Sequence, residues 1–451
     1  MHSDQGRTNG YPCTRAGRPL ISSAAGEAGS PEELIDLRHS AEHELGRWQA
    51  ASRTTYRGLD KEVVVSNLPR LRRKAPDLPP LLIDLAAGSS PSPTEIDDRL
   101  VKLANEHGLT GLLWSWARDN LADLERKEEL AQNDLYIQAH LVNVWKVLDE
   151  SVAQLTAAGI EVATVKGVTA GERWYDRRGD RPCSDVDLLL APNQLERATD
   201  AVRILDLGHP WGEHVSELAT TGRIQTVTTH VDGLEVDLHF DLFKIGIPTR
   251  ASRDIWDRTT PFPLPHGGTV RVLDDTTALL HFLVHINKDR FQRLLGYADV
   301  ARIIATGRVD WTLARRVAER EGLTVPAFRT LDVVLDRLEL PWPVELDRPT
   351  GMRVGLWNLI WRPGIRLRGA EGRLRFRRRG DWIAFLARGR MLEALRWWLR
   401  EMWPPSSAVN ARYAHVRGPY LWKLLKGRVM KAQNTRATLA ERHATSPPEK
   451  S

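Results

Sequence analysis

The chain has 451 residues, with 64 Lys+Arg against 58 Asp+Glu, a formal net charge of +6 and 42% hydrophobic residues, proportions that suit a globular protein of two or three domains. Its only cysteines are Cys13 and Cys183, too few for a disulfide framework or a Cys-based zinc site. Charge is spread unevenly: residues 351–451 carry 22 Lys+Arg and 6 Asp+Glu, net +16, which leaves 42 basic and 52 acidic residues, net −10, in the first 350.

Residues 1–30 are rich in Gly, Ser, Thr, Arg and Ala, show no hydrophobic periodicity and read as a disordered leader. They contain no apolar stretch of a secretory signal, and the chain nowhere reaches the run of about 18 apolar residues that crosses a bilayer. A cytoplasmic protein is expected. Residues 31–158 form an N-terminal helical region, interrupted at Pro79-Pro80 and again at 88–93. Ser92-Pro93-Thr94-Glu95 has the makings of a helix start, and 94–158 then reads as two or three amphipathic helices. Leu141, Val144, Trp145 and Leu148 share one face of the last of these.

The pattern changes over 159–270, an α/β unit of the size of a small domain. Ile160–Val165 is strand-like and runs into Lys166-Gly167; Val186–Leu190 is a second strand; Asn193–Leu205 is a helix with Leu195, Ala198, Val202 and Leu205 inward. Thr226–His230 and Leu234–Phe240 form a hairpin around the turn dipeptide Asp232-Gly233. Residues 271–345 are helical again, and 346–451 is a basic region rich in Trp and Arg.

Chemistry concentrates in the middle unit. Asp185 and Asp187 lie two apart on a strand, so both carboxylates project from one face. Side-by-side carboxylates repel unless a cation lies between them, and Mg²⁺ is the usual occupant of an all-oxygen site. In the later strand Glu235, Asp237, His239 and Asp241 alternate with Val236, Leu238 and Phe240, giving one apolar face and one acidic face with an imidazole. A third carboxylate beside an Asp-x-Asp pair is what two-metal phosphoryl transfer needs.

The order of these elements resembles the polymerase-beta-like nucleotidyltransferase superfamily. Ala158-Gly159-Ile160 to Lys166-Gly167, Arg181-Pro182 to Ser184-Asp185-Val186-Asp187-Leu188-Leu189, and Val236-Asp237-Leu238-His239 resemble, more narrowly, the uncharacterised bacterial nucleotidyltransferase family that carries a Lys-Gly motif. The stretch from Leu273-Asp274-Asp275 through His281, His285, Leu294 and Asp299 to Asp310-Trp311 is similar to it as well, so the likeness covers about 120–345. It implies an α+β fold, a mixed-sheet core flanked by helical regions, with Asp185 and Asp187 as metal ligands. Asp237 would be the third carboxylate that activates an acceptor hydroxyl, and Gly167 would open a helix whose amides cradle nucleotide phosphates. The superfamily has Gly-Ser or Gly-Gly at that turn, whereas here Val168 follows Gly167; Lys166, as a point charge, or Thr169 is expected to take the place of the missing hydroxyl.

Other candidates are weighed on their residues. Arg181 and Ser184 flank the metal pair and are divided evenly between turn stabilisation and phosphate contact. Glu235 is on the acidic face but ranks below Asp237, and His239 reads as a group supporting the ligands. His281 and His285 are four apart on a helix, yet Phe282, Leu283 and Val284 between them supply no glutamate for hydrolytic zinc chemistry. Packing or contact with the acceptor substrate is the preferred reading for the pair, with Asp299 a further candidate.

In the basic region, Leu392, Leu395, Leu399 and Met402 make a helical stripe flanked by Trp397, Trp398 and Trp403. Such a helix suits an anionic membrane surface or an acidic partner, the alternative being packing onto the body; no nucleic-acid-binding motif is present. The expected function is a Mg²⁺- or Mn²⁺-dependent transfer of a nucleotidyl group from an NTP to a small molecule, glycan precursor or peptide. The alternative is a catalytically weak binding or scaffold protein with the same fold, docked through residues 351–451.

Overall fold

The computed structural model describes residues 78–361, apart from 90, 92–94, 122, 206–211, 223, 244–252, 266 and 290. The expected leader, residues 31–77 of the N-terminal region and the basic region beyond 361 lie outside the described residues.

Four helices lead in: α1 (Pro80–Ala87), α2 (Asp98–His107), α3 (Thr110–Asn120) and α4 (Leu124–Ala157). Ser92, Pro93 and Thr94 are outside the described residues; α2 begins at Asp98, where the Asp97 carboxylate accepts the Leu100 N–H at 2.7 Å. A short acidic side chain at the N-cap satisfies a helix amide that has no partner within the helix. Asp123 caps α4 in the same way. Leu141, Val144, Trp145 and Leu148 are all buried, as their spacing requires.

The sheet follows, with β1 (Val162–Thr164), α5 (Val168–Trp174), β2 (Asp185–Leu190), α6 (Ala198–Leu205), α7 (Val215–Thr220), β3 (Thr226–Val231) and β4 (Leu234–His239). After these come α8 (Arg253–Asp257), β5 (Thr260–Pro263) and β6 (Thr269–Val272). The six strands lie in the order β3-β4-β2-β1-β6-β5. β2 is parallel to β4 and β1 to β6, while β1–β2, β3–β4 and β5–β6 are antiparallel. The mixed sheet and its many helices make the fold α+β, as the sequence implies.

The β3–β4 hairpin turns on Asp232 and Gly233, both at positive φ (48° and 78°), the geometry of the tight turns that join twisted strands. Two expectations change in detail. Strand β1 is confined to three residues, because the Ile160 N–H closes the end of α4 on Leu155 O. The helix expected at 193–205 starts as a 3₁₀ segment, Pro192–Arg197, before α6. Gln194 and Arg197 hold it to the turn at Ala158, Gly159 and Glu161 through side-chain bonds of 2.7–3.3 Å.

Helices α9 (Asp275–Lys288), α10 (Leu294–Ala305), α11 (Trp311–Glu321), α12 (Thr324–Arg337) and α13 (Met352–Trp361) complete the described chain. Alternation along β2 sends Val186, Leu188 and Leu190 to one face and Asp185 and Asp187 to the other. Leu189, on the carboxylate face, joins a continuous core with Leu242, Phe243 and residues of α9, α10, α12 and α13. The sheet therefore delivers its acidic positions beside α9. No helix among the described residues is long and apolar enough to cross a membrane.

Candidate active site

Strand register assembles the carboxylates. Parallel pairing of β2 with β4 sets Asp185 beside Glu235, Asp187 beside Asp237 and Leu189 beside His239. Lateral neighbours in a sheet project to the same side, so five polar side chains gather at one place. Ligand atoms of Asp187, Asp237 and His239 all lie within 4.8 Å of one another.

Asp187 is the centre of the group and has no exposed side-chain surface. Its Oδ1 accepts from His239 Nε2 at 2.8 Å, and its Oδ2 is 2.9 Å from Lys166 Nζ. Burial would raise its pKa; the Lys166 charge and the His239 hydrogen bond outweigh burial and hold the carboxyl well below the usual range. Asp185 has the opposite shift. Burial first, and then the charges of Asp187 and Asp237, push it up against the pull of Lys166, whose Nζ is 3.8 Å from its Oδ2. Burial would lower the Lys166 pKa, but Asp187 and Asp185 together raise it, so the ammonium stays charged.

Asp237 is half-buried and accepts a hydrogen bond from Thr228, its partner across the hairpin. Glu235 is exposed, one pleat further out. The donor set fits a hard divalent cation: carboxylate oxygens, an imidazole and more negative charge than one lysine neutralises.

Gly167 makes the turn before α5 at φ 73°, ψ −137°, a conformation open to glycine. A Cβ there would stand 3.2 Å from Cys183 Sγ and 3.4 Å from Asp185 O. The Cys183 thiol donates to Asp185 O at 3.0 Å, and burial followed by the Asp185 charge pushes its pKa up to about 12. It is a packed donor, not a nucleophile.

Arg181 is buried, and its donors are engaged. Nε and Nη2 reach the two oxygens of Asp299 at 2.8 and 3.0 Å, and Nη1 reaches Gly167 O at 3.0 Å. Tyr175 also donates to Asp299, at 2.7 Å. Arg181 and Asp299 thus hold the Gly167 turn in place, and Asp299 contacts this pair rather than the two histidines. The Thr169 hydroxyl donates to Lys166 O at 3.3 Å. Ser184 is exposed at the cavity wall.

A cavity of about 330 Å³ opens between the sheet and the α9–α10 junction. Lys166, Asp185, Asp237 and His239 line one side; His281, His285, Lys288 and Arg293 line the other. His281 is buried, with Nδ1 donating to Leu242 O at 2.9 Å and Nε2 left without a hydrogen-bond partner. Burial, then His285 and His239, lower its pKa well below 6.5, so the ring is neutral. His285 pairs with Asp289 at 3.0 Å. Lys288 was legible as an addition to the histidine pair, since positions 281, 285 and 288 recur at i, i+4 and i+7 on one helix face. Arg293, beyond the helix end, gave no such signal.

A family model described as an uncharacterised nucleotidyltransferase matches residues 93–338, more than half of the chain and every residue of the cavity wall. The chain belongs to the uncharacterised nucleotidyltransferase family. No curated protein and no solved structure matches it. Family membership places the Asp187, Asp237 and His239 cluster in a nucleotidyltransferase domain and supports a transferase in general.

Proposed function

We propose that the protein transfers a nucleotidyl group from an NTP to a hydroxyl-bearing acceptor, with Mg²⁺ or Mn²⁺ held by Asp185, Asp187 and Asp237. The observation that carries this reading is the β2–β4 register, which stands Asp187 against Asp237 beside a cavity lined by Asp185 and Asp237, in a chain of this family. A divalent cation held by these carboxylates neutralises charge that develops on the transferring phosphoryl group.

The chain's own groups supply the rest. Asp237, half-buried on the cavity wall, takes the acceptor's proton as the acceptor oxygen bonds to the α-phosphorus. The bond from that phosphorus to the β-phosphate bridge breaks, and pyrophosphate leaves. Lys166 supplies a positive charge for phosphate, and Ser184 a hydroxyl at the wall. The acceptor class is a small molecule, a glycan precursor or a peptide. The basic residues of 351–451 bring the enzyme to an anionic surface or acidic partner in the cytoplasm.

Incubation with each α-³²P-labelled NTP, Mg²⁺ or Mn²⁺ and host extract tests the reading. Label should enter an acceptor with the wild type and not with a protein carrying Asp185→Ala and Asp187→Ala. Transfer that survives the double substitution would sink the metal-site assignment. Absence of both transfer and nucleotide binding would favour the scaffold reading.

A further inference from the structure

The two oxygens of Asp187 are both engaged inside the protein, one by His239 and one by the Lys166 ammonium. The same ammonium is within 3.8 Å of Asp185, so it lies between the two carboxylates assigned above to a divalent ion. A dication on these oxygens would bind at about 2.0–2.1 Å if it is Mg²⁺. It would then share an oxygen with a lysine 2.9 Å away, and the two positive charges would meet within a few ångströms in a site shielded from water.

Only the lysine side chain is able to yield. Its carbonyl accepts from Thr164 and Thr169 at 3.3 Å each, and the next carbonyl, Gly167 O, is fixed by Arg181. The Lys166 side chain is 15% exposed, and the residue lines the cavity. Four rotatable methylenes on a pinned backbone allow the ammonium to leave the carboxylates without moving the turn.

We propose that Lys166 has two alternative partners: it neutralises Asp185 and Asp187 when the site lacks a divalent ion, and when the ion binds it is displaced into the cavity, where it takes a phosphate of the incoming triphosphate. This rests on the metal-site reading above and adds an order to it. The ion binds first, and its arrival releases the cation that the triphosphate needs.

Limited lysine acetylation of the full-length protein, read peptide by peptide by mass spectrometry, follows the ammonium. Lys102, exposed on α2, is the internal reference. Three conditions are compared: no divalent ion, Mn²⁺ alone, and Mn²⁺ with inorganic triphosphate, with binding of both followed by calorimetry. Lys166 should be protected in the first, become at least five-fold more reactive in the second, and return towards protection in the third. Bound Mn²⁺ with unchanged Lys166 reactivity overturns the displacement. Bound triphosphate that fails to protect Lys166 overturns the transfer to phosphate. A wild type that binds no Mn²⁺ overturns the metal-site reading instead, which keeps the two failures apart. The variant Lys166→Met should bind Mn²⁺ at least ten-fold more tightly and triphosphate at least ten-fold more weakly; weaker Mn²⁺ binding contradicts the proposal.

Discussion

Asp187 and Glu235 are both acidic residues on one face of one sheet, and their environments separate them. Asp187 is fully buried between a lysine and a histidine, whereas Glu235 is exposed. Asp187→Asn removes one of the two carboxylates beside the Lys166 ammonium and weakens the His239 hydrogen bond, and should cost about 1–3 kcal/mol, while Glu235→Gln should stay within about 0.5 kcal/mol. Urea unfolding of both variants decides between them. Burial, first among the causes, lowers the pKa of His107 below 6.5 and that of His281 well below it. The unfolded chain takes up protons at these positions as pH falls through 6.5, whereas the native protein does so only at lower pH. Their contribution is therefore complete above that pH and is lost as pH falls, by up to about 1.4 kcal/mol per pH unit for each histidine. Denaturation midpoints between pH 7.5 and 5 should fall accordingly, and a His281→Asn protein should show a shallower decline. Residue types and alternation made Asp185, Asp187, Asp237 and His239 legible in the sequence. The Arg181–Asp299 pair was not, because its members are 118 positions apart and only the packing of α10 on the Gly167 turn unites them.

Long periodic elements could be read directly, and short ones could not. Helix α4 has 34 residues, enough for its apolar face to repeat many times. The hairpin is announced by Asp232-Gly233. Strand β5, Thr260–Pro263, has two prolines in four residues and gives no strand signal, yet it is an edge strand, where a missing N–H is tolerated. The parallel register of β2 and β4 is also invisible in either strand alone. It follows from the path through α6, α7 and the hairpin, and that register is what makes a site out of two acidic strands. Close packing offers a test at this scale. Helix α3 crosses the turn at Arg178–Asp180 so closely that a Cβ on Gly111 would stand 1.8 Å from Gly179 O. Gly111→Ala should destabilise the protein by about 2–3 kcal/mol or more, since backbone must move. A thermal midpoint equal to wild type would contradict the packing described.

For the whole molecule, the acidic body and basic end found in the composition separate the site from the tail. The carboxylates of the site belong to the net −10 portion, and the +16 portion begins at 351. Its first part is built into the fold: Trp357 of α13 is 1% exposed and meets the Phe291 ring edge-on at 5.9 Å. Trp357→Ala should therefore cost about 3–5 kcal/mol, as for a core aromatic. Flotation with anionic vesicles should depend on residues 362–451; equal flotation with and without them would remove a membrane role. The family was legible because it rests on a few residues in order, whereas the cavity is made by α9 and α10, which follow the last strand of the sheet, packing back beside β2 and β4.

The most direct measurement follows two labels on the same NTP, one at the α-phosphorus and one at the γ-phosphorus, with Mg²⁺ and acceptor-containing extract. The expected result is α-label joined to the acceptor and γ-label released in pyrophosphate, with neither seen when Asp185 and Asp187 are alanine. Transfer of the γ-label to the acceptor, with the α-label left in free nucleotide, would contradict nucleotidyl transfer at this site.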